Sequence, residues 1–271
     1  MVSHPDVEEI AVTIAAQRTP TAGFNKVPQV TMLFWIIKIL STTVGETAAD
    51  YLAVNIGLGT TTTALIMAVL LLLALIAQFR SDRYRPWAYW LTVVLISIAG
   101  TQITDFLTDK LDISLYASTA FFAAALAAAF AIWYATERTL SIHAITTVRR
   151  EAFYWAAILL TFALGTAAGD LATEALGLGF RLGLIAFGLI IAVVTMLYTL
   201  GINPVLTFWI AYILTRPLGA SLGDLLSQST EYGGLGLGTV YTSIGFLTVI
   251  VVLVLWLTFE GDSGSQPRPA K

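Results

Sequence analysis

Long, nearly unbroken apolar stretches recur along this chain, among them Thr60–Phe79, Leu115–Ala135, Leu182–Leu200 and Thr239–Phe259. Roughly 20 consecutive apolar residues form a helix long enough to cross a bilayer, so each stretch predicts a membrane span. Between them lie segments equally rich in apolar residues but interrupted by small residues and one carboxylate. Aligned on that carboxylate, four segments agree: "VGETAADYL" at Asp50, "AGTQITDFL" at Asp105, "LGTAAGDLA" at Asp170 and "LGASLGDLL" at Asp224. Five residues before each Asp stands Gly45, Gly100, Gly165 or Gly219, and immediately before it Ala49, Thr104, Gly169 or Gly223. Fifteen residues before it stands Trp35, Trp90, Trp155 or Trp209, four of the seven tryptophans in the chain.

Each unit therefore predicts one plan. A Trp-bearing helix runs into Gly-x-x-x-small-Asp, a short loop follows, and a second apolar helix returns. The loops contain "NIGLG", "ALGLG" and "GGLGLG", where glycine ends one helix and lets the chain reverse. Four hairpins give eight transmembrane helices in an all-α, polytopic protein. Asp50 to Asp170 spans 120 residues and Asp105 to Asp224 spans 119, which points to a two-helix unit duplicated twice. The expected organisation is a tail over 1–26, one transmembrane domain over 27–259 with repeats at 27–80, 84–138, 147–200 and 203–259, and a flexible tail over 260–271.

Composition agrees. The 271 residues are 57% hydrophobic and 11% charged, with a mean hydropathy of +0.82, against about 25% charged in a soluble domain. A net charge of -3 gives no footing for nucleic acid. With no cysteine, disulfides and thiolate metal sites are excluded, and His4 and His143 alone make an imidazole site unexpected. The first 25 residues lack the apolar core of a secretory signal and are read as a tail.

Charge also predicts orientation. One side collects Arg18, Lys26, Arg80, Arg83, Arg85, Arg138, Arg149, Arg150, Arg268 and Lys271; the other holds Lys110 and Arg181 against Asp109, Asp112, Glu174 and Glu231. The positive-inside rule places the first side, with both termini, in the cytoplasm, and a bacterial inner membrane is the expected location. Because every unit crosses twice, the repeats are parallel, arranged around an axis along the membrane normal.

The carboxylates carry the functional expectation. Gly-x-x-x-small lets membrane helices approach closely, which would draw the four aspartates towards a common axis. A charged side chain at the middle of a span costs about 2.5–3.5 kcal/mol on insertion scales. Lys38 and Arg216 face Glu46, Asp50, Asp105, Asp170 and Asp224, so two cations leave negative charge uncompensated. Protons or a bound cation would supply the remainder.

Positions 12, 8 and 4 before each Asp share one helix face. They hold Lys38, Thr42 and Glu46; Val93, Ser97 and Thr101; Ile158, Phe162 and Thr166; Tyr212, Arg216 and Ala220. Asp109, Glu174 and Gln228 extend the acidic character one turn beyond. Gln102 and Ser221 join Thr101 and Thr166 as candidate oxygen ligands. Hard oxygen donors favour Mn²⁺, Mg²⁺ or Ca²⁺ over copper or zinc, and the metal site is expected at Asp50, Asp105, Asp170 and Asp224.

The tryptophans are expected as anchors at the cytoplasmic interface, and His143 as a loop residue. Arg216-Pro217 predicts a kinked helix with a buried arginine paired to a nearby acid. Lys38 is expected to pair with Glu46 or Asp50.

The segments "KVPQVTMLFWIIKILSTTVGETAADYL" and "SIHAITTVRREAFYWAAILLTFALGTAAGD" resemble a bacterial family catalogued as a repeat of unknown function and labelled as uncharacterised membrane-anchored proteins. The resemblance runs from Lys26 to Phe259 and implies an integral membrane protein with repeated units. It carries no activity, so function rests on the charges. They favour a non-enzymatic cation transporter or channel, for a divalent metal such as Mn²⁺, with proton-coupled export as one form. Its partners would be the lipid bilayer and the cation. Two alternatives are an intramembrane aspartyl protease, which Gly169-Asp170 and Gly223-Asp224 resemble, and a scaffold or sensor that transports nothing.

Overall fold

The computed structural model describes residues 25–52, 57 and 59–263. Most of the expected tails, with His4, Arg18, Arg268 and Lys271, lies outside these residues. Eight helices are long and apolar enough to cross a membrane among the described residues. In chain order they are α1 (Met32–Asp50), α2 (Gly59–Phe79), α3 (Pro86–Asp105), α4 (Leu115–Glu137), α5 (Val148–Asp170), α6 (Gly179–Thr199), α7 (Pro204–Ser227) and α8 (Thr239–Ser263).

Local chemistry sets the boundaries. Thr31, Ser114, Thr147 and Asn203 cap α1, α4, α5 and α7 by accepting from backbone N–H groups of the first turn, and Pro86 and Pro204 open α3 and α7. Gly57, Gly177 and Gly236 have φ of +74°, +71° and +72° at the reversal after α1, α5 and α7, a conformation that favours glycine. The corresponding reversal after α3 uses Asp112 at φ 53°, one of the polar residues that tolerate this region.

The helices sort into two shells. The odd-numbered ones are 56–61% buried over their spans and the even-numbered ones 17–28%. The inner four close a ring in which α1 packs on α3, α3 on α5, α5 on α7 and α7 on α1. The outer helices do not rest chiefly on their own hairpin partners. Among the described residues α2 packs on α3, α4 on α5, α6 on α7 and α8 on α1. Each returning helix thus covers the inner helix of the following unit, and the last covers the first.

The ring is cut by the glycines five residues before each Asp. A Cβ on Gly45 would meet Ser97, one on Gly100 would meet Phe162, one on Gly165 would meet Arg216, and one on Gly219 would meet Thr42. All four neighbours stand eight residues before the Asp of the next unit. The small-residue spacing is a cyclic contact, repeated at every interface.

The tryptophans differ from expectation. Trp90, Trp155 and Trp209 are 1–4% exposed and Trp35 is half-buried, so they are core residues, not anchors in the headgroup layer. The residue before each, Phe34, Tyr89, Tyr154 or Phe208, packs on the next unit's indole. Ring centroids are 5.5 Å apart for Phe34–Trp90, 5.4 Å for Tyr89–Trp155, 6.3 Å for Tyr154–Trp209 and 5.7 Å for Phe208–Trp35. Tyr89 and Tyr154 also share a 2.5 Å hydrogen bond between their hydroxyls, both fully buried. This aromatic girdle seals one end of the ring, here the Trp end. Lys26, expected in a tail, is buried at that end. Its ammonium donates to Glu151 at 2.7 Å and to the Phe79 carbonyl at 3.2 Å.

Candidate ion site

The axis of the inner ring changes character layer by layer from the Trp end to the Asp end. Below the girdle come Lys38, Val93, Ile158 and Tyr212, all at most 1% exposed. Thr42, Ser97, Phe162 and Arg216 follow, all 0% exposed. Next are Glu46, Thr101, Thr166 and Ala220, then the four aspartates, each half-buried. Along this column the inner helices face one another: Lys38 reaches the rings of Phe162 and Tyr212, and Arg216 reaches Thr42, Thr101 and Thr166.

Arg216 ties the column together. Its Nε donates to Thr166 Oγ1 at 3.0 Å, one terminal nitrogen to the Thr42 carbonyl at 2.9 Å, and the other to Glu46 Oε2 at 2.6 Å and to Thr101 Oγ1. One guanidinium from α7 thus contacts α1, α3 and α5 at once. Its fixed fork of donors suits this task in a way that a lysine ammonium would not. Pro217 lies inside α7 beside it, and Gly165 gives the room that its stem occupies.

Lys38 does not make the carboxylate pair expected of it, because Glu46 is taken by Arg216. Its Nζ stands 4.0 Å from the centroid of Phe162 and 4.3 Å from that of Tyr212. The atom is buried with no hydrogen-bond partner among the described residues. Cation–π contact is its visible support, of about 0.5–2 kcal/mol in general.

Asp50, Asp105, Asp170 and Asp224 have no ion-pair partner within 4 Å among the described residues. They lie in one another's field around the ring: Asp105 with Asp50 and Asp170, Asp224 with Asp170 and Asp50. Glu46 adds to the negative field at all four, and Arg216 opposes it at Asp50, Asp105 and Asp224. Among the described residues no three His, Asp or Glu side chains come close enough to hold one metal ion. The metal cage expected of the four aspartates is therefore not assembled.

Three of the aspartates sit where the helix widens. Asp105 and Asp170 are each followed by a π-helical turn, Phe106–Lys110 and Leu171–Ala175, and Tyr51 and Leu52 continue α1 in the same way after Asp50. The widened bonds run from the Leu111 N–H to the Phe106 carbonyl and from Leu176 to Leu171. Such bulges recur at functional sites in helical proteins. The fourth unit stays α-helical to Ser227, and Gln228 turns back so that its amide donates to Asp50 Oδ2 at 3.4 Å. Glu174 and Gln228 line a pocket of about 410 Å³ at this end, with Thr173, Phe180 and Tyr232. The exposed Asp109 accepts from Thr108 Oγ1 at 3.2 Å.

Two of the candidate ligands leave the axis. Ser221 lies against Gly183 of α6, between inner and outer shells. Gln102 occupies the equivalent position three residues before its Asp, with both amide atoms buried and unpartnered among the described residues. Thr47, at the same position in α1, accepts from Ser243 of α8 at 2.7 Å. The residue three before the Asp serves the outer helix, and the residue four before serves the axis. His143 is exposed at the edge of a second cavity of about 520 Å³ near the Trp end, lined also by Trp35, Tyr198 and Phe208.

No curated protein and no solved structure matches the chain. A family match covers residues 33–84, 88–139, 153–200 and 207–262, one stretch for each hairpin around the ring. With four copies of its unit in sequence, closed into a circle in space, the chain belongs to the family described as Repeat of Unknown Function (DUF347).

Proposed function

We propose that this protein moves cations across the membrane along the axis of its inner ring, with a divalent ion such as Mn²⁺ as the first cargo to test. The observation that carries the reading is the set of four half-buried aspartates on that axis, in one another's field and, among the described residues, without a basic partner. A bundle stable only as a scaffold would be better served by apolar residues there, because uncompensated carboxylates inside a span are costly.

With no three acidic side chains gathered at one point among the described residues, the ion is held by one or two carboxylates at a time, with hydroxyls and retained water completing its shell. Small hard cations that dehydrate reluctantly are held in this manner. Glu174, Gln228 and the pocket they line form the approach at the Asp end. Arg216 and the aromatic girdle close the path towards the Trp end, which the positive-inside rule assigns to the cytoplasm of a bacterial cell. Passage requires Arg216 to let go of Glu46, so the Arg216–Glu46 pair at 2.6 Å is the inner gate.

The test is flux into proteoliposomes of purified protein for Mn²⁺, Mg²⁺, Ca²⁺ and protons. Wild type is expected to carry at least one of these, and Asp50→Asn or Asp170→Asn to abolish the flux while the protein elutes as a folded species. Equal flux in all four single Asn variants overturns the proposal, as does a wild type that moves none of these ions.

A further inference from the structure

The axis holds a second cation that the ion site does not use. Lys38 is 1% exposed, and its Nζ has no hydrogen-bond acceptor among the described residues. A buried ammonium without an acceptor is among the costliest arrangements a protein can hold, and shedding the proton is the usual escape. The described surroundings offer no compensating anion. From α7 it faces Tyr212 and, in electrostatic range, Arg216. From α5 it faces Phe162, with Tyr154 in the girdle above. From α3 the titratable group of the girdle is Tyr89, already bonded to Tyr154. The described side chains of α8, up to Phe259, carry Tyr241 as their one titratable group, exposed at the opposite end of the helix. On α1 itself Glu46 lies two turns on, held by Arg216.

We infer that Lys38 is the proton carrier that couples cation movement to proton movement along this axis. The inference rests on the transport reading and adds its coupling ion. Lys38 is isolated in the dry stretch between the girdle and the Arg216 gate, so each charge state suits a different occupancy. With Arg216 seated on Glu46, the amine form relieves the axis of a second unpaired positive charge. When Arg216 releases Glu46, that carboxylate becomes free to balance a protonated Lys38. When Arg216 returns to Glu46 after a cation has passed, the ammonium gives one proton to water, the nitrogen keeps the electron pair, and one unit of positive charge leaves the axis.

The chain has four lysines, Lys26, Lys38, Lys110 and Lys271, so a protein carrying ¹⁵N at lysine Nζ gives a spectrum that single variants assign. In nanodiscs the Lys38 resonance is expected to change between its ammonium and amine signatures with pH, and saturating Mg²⁺ is expected to move that transition. An Nζ that stays ammonium over the whole range, with and without Mg²⁺, overturns the inference.

The second arm uses flux. Lys38→Met and Lys38→Arg are expected to lose cation accumulation driven by a pH gradient at least tenfold while tracer exchange at equal concentrations persists. Asp50→Asn is expected to lose both. Accumulation by Lys38→Met equal to wild type overturns the coupling role and leaves the transport reading standing. A wild type with no tracer exchange removes the transport reading, and the resonance still decides whether Lys38 titrates. Should Lys38→Met fail to fold, Lys38→Arg and the wild-type spectrum carry the test.

Discussion

Replacing Gly165 by alanine places a Cβ 2.5 Å from Arg216 Cβ and 2.6 Å from its Cγ, with Pro217 Cδ at 3.2 Å. Carbon atoms in contact sit about 3.5–4.0 Å apart, so α5 and α7 must part by on the order of 1 Å or the stem of Arg216 must move. The stem cannot move freely, because its head is fixed by acceptors on three other helices. Overpacking of this kind costs about 1–3 kcal/mol, and alanine's higher helix propensity returns at most about 1 kcal/mol. With alanine's full return the net loss is up to about 2 kcal/mol, which for a chain of this size lowers the melting temperature by up to roughly 8 °C. The assay is thermal unfolding in detergent, with two controls chosen from the outer shell. A methyl group on Gly245 would have no atom within 4 Å, and one on Gly188 would meet only Leu218 Cδ1 at 3.8 Å. Alanine at either site is expected to leave the melting temperature unchanged or raise it slightly. Gly165→Ala is also expected to weaken transport, since it displaces the gate. If Gly245→Ala falls as far as Gly165→Ala, or Gly165→Ala melts higher than wild type, the close cyclic contact is not what holds the ring.

Arg216→Met strands Glu46 in the bundle and is expected to cost about 3–5 kcal/mol; adding Glu46→Leu should restore much of the loss, seen as a higher melting temperature in the double variant than in the single. Asp105→Asn removes one member of a like-charged ring, so its melting temperature should hold or rise while flux disappears, and a destabilised variant with normal flux would contradict this. Lys26→Met leaves Glu151, at 0% exposure, without its ammonium, and a loss of about 3–5 kcal/mol is expected in unfolding. Lys38→Met should do no such harm, since no partner is abandoned, and the two lysine variants measured side by side separate a paired buried cation from an unpaired one.

The eight spans and the fourfold unit are legible in the sequence because the apolar runs, the Trp–Gly–Asp offsets and the charge of the loops are local properties. So is the polar column, since residues four and eight before the Asp must share a helix face. The tryptophans depart from expectation for an identifiable reason. The interface rule holds for side chains that face lipid, whereas these indoles face the aromatic ring of the preceding unit. A signal is present in the paired aromatics Phe34-Trp35, Tyr89-Trp90, Tyr154-Trp155 and Phe208-Trp209, which a lone anchor would not need. The pairing expected of Lys38 fails because helical spacing brings it near Glu46 on one helix, and only the closed ring reveals that Arg216 reaches Glu46 first. The off-axis position of Ser221 and Gln102 follows from a single residue of register, a rotation of about 100° around the helix. The π-helical turns after Asp105 and Asp170 have no sequence pattern that the spacing rules detect.

Since α8 rests on α1 and each other outer helix rests on the unit that follows it, no hairpin can bury its own returning arm. A lone hairpin in the bilayer would offer its uncovered inner helix to another copy, so four separate copies could build the same circle that one chain now builds. During synthesis the consequence is a delay. α1, with its buried lysine and glutamate, is made before α8 and keeps one flank bare until that helix arrives.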